Sequence, residues 1–180
     1  MNGLSRNCQH VIRIICFTTI TSLFCFSAQA SDPFEVMMHD ADIYGTRDIE
    51  AGNYAKGVQR LLTQLGDSDS DSRQAASIRT PIVIDLCAGY TMLEDIDAAT
   101  RYCDEAVASG WSKGLALNNR GALHVRKGDY KNAILDFQAA IEARGANRIA
   151  SRNLDRIEAR VAALLHANDR RLAQTNPNTD

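Results

Sequence analysis

The stretch from Asn118 to Glu142, NNRGALHVRKGDYKNAILDFQAAIE, limits the fold more than any other part of the chain. Apolar residues Ala122, Leu123 and Val125 lead to Lys127-Gly128-Asp129-Tyr130, after which Ala133, Ile134, Phe137, Ala140 and Ile141 return at intervals of three and four. That interval is the period of one buried face of an α-helix. Gly128 is suited to the backbone conformation that ends a helix, and Asp129 to capping the start of the next. The spacing predicts two amphipathic helices folded back on each other at a tight turn.

These residues resemble the tetratricopeptide repeat, whose pattern is Trp, then Leu-Gly, then Tyr on one helix, followed by Ala and an aromatic on the next. Gly121, Tyr130, Ala133, Phe137 and Ala140 match it. Leu117, Arg120 and His124 stand at the Trp, Leu and Tyr places, and Gly145 at the closing Pro. One family period earlier, about 34 residues, Leu86 and Tyr90 supply the Leu and Tyr that the later copy lacks. Ala99 and Ala106 precede Ala133 and Ala140, while Cys87 and Cys103 precede Gly121 and Phe137. Small residues belong where the paired helices come closest, so Gly121 and Ala133 are expected to face each other. The resemblance implies an all-α fold, a short α-solenoid of antiparallel helix pairs with a C-terminal capping helix.

Residues 1–30 carry Arg6, His10 and Arg13 ahead of an apolar run from Ile14 to Phe26, and end Ala28-Gln29-Ala30. A basic start, an apolar middle and a small-x-small end read as a signal peptide cleaved after Ala30. The run is short of the roughly 20 apolar residues that a membrane span needs, and Phe24 is too bulky beside Cys25 for a lipoprotein site. A periplasmic or secreted location follows, with no membrane span after cleavage. Removing Arg6 and Arg13 from the 20 basic residues leaves 18 against 22 acidic ones, a net charge of −4. Weak acidity without a Lys/Arg block argues against a nucleic-acid partner.

Residues 31–66 read as a degenerate first repeat, with Ala51-Gly52-Asn53-Tyr54 as its turn and Val58, Leu61, Leu62 and Leu65 as its apolar stripe. Residues 67–79 read as a flexible polar loop. Their alternating aspartates lack the Gly and Glu of a calcium loop, since Ser72 and Ile78 stand in those places. Thr80-Pro81 is expected to open the next helix, and 80–145 to hold two repeats. Trp111 is expected to plug the joint between them, with ligand stacking as the alternative. Residues 146–168 form the capping helix and 169–180 a disordered tail.

No metal or cofactor motif and no catalytic constellation is legible: His39, His124 and His166 are isolated, and no HExxH, CxxC, GxSxG, P-loop or GxGxxG occurs. His124, at the place of a buried Tyr, is expected in the core. The chain is read as a binding protein and not an enzyme.

In proteins of the resembling family, the first helices of successive repeats line a concave groove that receives a peptide or a partner helix. Carried onto this chain, that groove is lined by Ile84, Asp85, Ala88 and Met92, by Asn118, Asn119, Ala122 and Arg126, and by Arg152, Asn153, Arg156 and Arg160. Asparagine amides can bond a peptide backbone through donor and acceptor together. The arginines favour a carboxylate or acidic segment; the alternative is that they are the solvated face of the terminal helix. The expected role is an exported scaffold that docks a partner protein or peptide, the alternative a structural subunit that self-associates through its repeat faces. By the same resemblance, Cys87 and Cys103 face the interior of one helix pair. They form a disulfide in an oxidising compartment, or remain two buried thiols filling small-residue places.

Overall fold

The computed structural model describes residues 34–39, 44–67, 73–143 and 147–175. The expected signal peptide and residues 176–180 lie outside them. Among the described residues there are seven helices and no strand: α1 Tyr44–Glu50, α2 Tyr54–Asp67, α3 Arg73–Leu93, α4 Ile96–Ala108, α5 Lys113–Arg126, α6 Tyr130–Glu142 and α7 Asn147–Thr175. Each helix packs on the next in consecutive pairs. In addition α3 touches α5, and α5 touches α7, so the leading helices of successive pairs share one face.

The turns repeat as the sequence does. Asp95 accepts a hydrogen bond from the Ala98 N–H at 3.2 Å, and Asp129 accepts one from the Asn132 N–H at 3.3 Å. Each carboxylate satisfies a donor that the first helical turn would otherwise leave open. Just before the second cap, Gly128 takes φ +74°. At the corresponding place in the earlier turn Glu94 takes φ +60°, a conformation costing a residue with a Cβ roughly 1–2 kcal/mol. The Glu94 carboxylate pairs with Arg126 at the end of α5.

The interior of each pair is also repeated. The Cys87 and Cys103 sulfurs lie at disulfide distance, 2.05 Å, with Cα atoms 4.7 Å apart, joining α3 to α4. In the α5–α6 pair the equivalent places hold a glycine and a ring. A Cβ on Gly121 would lie 2.7 Å from the Phe137 ring. Gly121 therefore faces Phe137, not the expected Ala133, which is one turn earlier on α6. Arg120 grips both oxygens of Asp136 at 2.8 Å and ties the same two helices.

Two boundaries differ from expectation. Helix α3 begins at Arg73, so 73–79 are helical and Thr80-Pro81 falls inside the helix, not at its start. A proline removes one intrahelical bond. Pro81 is nonetheless buried, and the turn ahead of it is held to α4 by Arg79, whose guanidinium donates to Glu105 at 3.0 and 2.8 Å. The last helix continues through 169–175, read from sequence as tail. Ala162, Ala163, Leu164, Leu165, Ala167 and Leu172 are strong helix formers, and no proline occurs between Asn147 and Pro177. Arg160 lies 5.4 Å above the ring of Tyr130, the first residue of α6, so the helix passes the end of α6 there. Beyond it Leu164, Leu165 and Leu172 are exposed.

Candidate functional site

The shared face of α3, α5 and α7 carries three side chains at an interval of 34 residues: Asp85, Asn119 and Asn153. All three are fully buried. Polar side chains in such places need hydrogen-bond partners, since a buried donor or acceptor left unmade costs on the order of 1–3 kcal/mol. Their partners come from the chain's own residues Phe34–His39, which form neither helix nor strand.

Asn153 accepts from the Glu35 N–H at 3.0 Å and donates to the Glu35 carbonyl at 2.8 Å. Asn119 accepts from the Met37 N–H at 2.7 Å and donates to the Met37 carbonyl at 2.6 Å. Asp85 accepts from the His39 N–H at 2.7 Å. Backbone groups of alternate residues point to the same side of an extended chain. One rung per helix pair thus meets one residue in two of the segment, which runs against the order of the pairs. Asn118 adds a donor to the Glu35 carbonyl at 3.0 Å and accepts from Asn153 at 3.0 Å.

Side chains of the segment are received as well. The Glu35 carboxylate lies between two guanidinium groups of α7, 2.7 Å from Arg152 and 3.0 Å from Arg156. Both pairs are partly open to water, where a single pair contributes on the order of 0–1 kcal/mol; the backbone ladder is the stronger restraint. Phe34 stacks on Phe137 with ring centroids 6.1 Å apart. Met37 packs against Leu117, Ala140 and Ala150, and Met38 against the larger core cluster of α1 to α5. His39 lies 4.5 Å from the Trp111 ring. Trp111, expected to plug the joint between repeats, is 43 % exposed, and its ring meets this segment.

Of the residues expected to line the groove, the structure brings together Asp85, Asn118, Asn119, Arg152, Asn153 and Arg156. Met92 sits beside them, edging a hollow with Val36, Met38 and Ile49. Arg126 and Arg160 are elsewhere. The first is occupied by Glu94 and the second by the Tyr130 ring, because both lie at the α5–α6 turn end of their helices. Ile84, Ala88 and Ala122 are buried in the core. His124 is half-buried between carboxylates, its ring nitrogens 3.5 Å from Asp129 and 3.6 Å from Asp136.

The rung in α3 is the odd one, a carboxylate where the other two are amides. Its second oxygen accepts from the Thr46 hydroxyl of α1. Burial pushes the Asp85 carboxyl up to about 7, against the donations from Thr46 and the His39 N–H, and the charge on Glu50 adds to the rise. An acid raised in this way binds its proton more tightly in the folded chain than in the unfolded one. Its contribution to stability is present below the unfolded value of 3.8 and is lost as pH climbs toward 7. Asn has the same shape, carries no charge and can still accept from His39. Asp85→Asn is therefore expected to match the wild type near pH 4 and to exceed it near pH 8, on the order of 1–3 kcal/mol. Urea midpoints at the two pH values measure this; an equal difference at both would contradict it.

No protein-family model matches the chain, and no curated protein matches its sequence. Among the described residues no helix is long and apolar enough to cross a membrane, and no three His, Cys, Asp or Glu side chains gather as a metal site.

Proposed function

We propose that the protein is an exported helical-repeat scaffold of the tetratricopeptide kind, whose groove binds an extended segment of a partner protein carrying an acidic side chain. The observation that carries this reading is the two-way clasp of Asn119 on Met37, repeated by Asn153 on Glu35. Amides that engage backbone and not side chain suit a surface that takes an extended peptide, with Arg152 and Arg156 selecting a carboxylate. Export is supported by the basic and apolar pattern of residues 1–30 and by two cysteines at disulfide distance, a pairing that survives in oxidising compartments. The reading assigns the chain no catalytic step.

An array of decapeptides, each position varied in turn, tests it. Retention is expected to require Asp or Glu at one position and to weaken in salt. Asn119→Ala combined with Arg156→Ala should abolish retention while leaving helix content intact. If that double variant holds the same peptides as strongly as the wild type, the groove assignment is wrong.

One observation favours the alternative of self-association. Past Arg160 the α7 stripe continues as Val161, Leu164, Leu165 and Leu172. An antiparallel pair of such helices centred on Asn168 would set Leu164 of one copy against Leu172 of the other. Light scattering at two concentrations separates the readings: a mass of one chain at both removes this one.

A further inference from the structure

The groove described above is already filled, and by a segment only four residues ahead of α1. Building on the proposed groove function, we infer that residues 34–39 are a built-in stand-in for the partner, and that the partner competes with them by repeating their pattern of an aromatic, an acid, any residue and an apolar residue.

Three features argue that the segment is held as a ligand is held. Its backbone is fixed by side chains of three different helices, through bonds any extended chain could make. The charged contact of Glu35 with Arg152 and Arg156 is partly exposed, so it can break without stranding a buried charge. Its anchors are separable: Phe34 rests on the Phe137 ring and Met37 on Leu117, Ala140 and Ala150, at places an equivalent side chain could enter. The short connection to α1 gives the segment a high effective concentration at its own groove. A free peptide of equal intrinsic affinity must therefore bind more weakly than the groove allows, by the fraction of time the groove is open.

The test uses the full mature chain and a fluorescein-labelled synthetic peptide of residues 31–40, followed by anisotropy. Glu35→Arg in the protein sets a third cation against Arg152 and Arg156 and loosens the segment, while the peptide keeps its own Glu. Peptide affinity is expected to rise at least about tenfold, and Asn119→Ala added to Glu35→Arg is expected to remove the gain. Equal affinity for wild type and Glu35→Arg overturns the competition and leaves the groove reading standing. Binding to neither chain overturns both. If Glu35→Arg does not fold, the wild type alone decides: its association rate should level off with rising peptide concentration, at the rate at which the segment leaves. A rate that climbs linearly throughout would reject the inference.

Discussion

Gly121→Leu is expected to lower the unfolding free energy by roughly 3 kcal/mol, the upper part of the overpacking range. Even a methyl group at this position would sit 2.7 Å from the Phe137 ring, closer than side chains approach one another. Phe137 is itself fully buried, with Phe34 stacked on it, and it packs beside Val125, Ala133 and Ile157. The ring has nowhere to retreat without separating α5 from α6 or displacing the residues of the groove. A urea midpoint measures the loss, and an unchanged midpoint would reject the contact. The double variant Gly121→Leu with Phe137→Ala should regain part of it, because the added volume then enters space the ring has vacated.

Reducing the Cys87–Cys103 pair is expected to have an effect of similar size, about 3 kcal/mol for a closed loop of this length. The two residues are separated by 16 positions, both are fully buried, and they join α3 to α4 at the place where Gly121 and Phe137 join α5 to α6. Cys87 and Cys103 are the two cysteines among the described residues, and in the next pair a ring against a glycine stands at the same places. Thiol titration of unfolded, unreduced residues 31–180 should find no free thiol. Two per chain would show that the cysteines merely fill small places, and reduction would then leave the unfolding midpoint unmoved.

The helix pairs were legible because their signals are local. Intervals of three and four mark each buried face, and Asp129 marks the helix start at which it acts as a cap. The 34-residue offset also placed Cys87 with Cys103 and Gly121 with Phe137 as equivalent pairs. Boundaries set by long-range contacts were not legible: Pro81 looks like a helix start until Arg79 is seen tied to Glu105 on α4. The end of α7 was misread because polar composition was weighed above helix propensity.

The groove was legible in part. Asn118, Asn119, Asn153, Arg152 and Arg156 follow from the positions of leading helices. Arg126 and Arg160 share those helices, yet they sit at the turn end, where Glu94 and Tyr130 take them. Nothing local in Phe34-Glu35-Val36-Met37-Met38-His39 announces where it lies. The available signal was indirect, three polar residues 34 apart on the leading helices of successive pairs.

Hydrogen exchange of the individual backbone amides in residues 34–39 tests the ladder most directly. In an extended chain alternate N–H groups face opposite ways, so Glu35, Met37 and His39, which donate to Asn153, Asn119 and Asp85, are expected to exchange slowly. Val36 and Met38 should exchange far faster, and Asn119→Ala should release Met37 first. Uniformly fast exchange across all five amides would contradict the account, for it would mean that the segment does not occupy the groove.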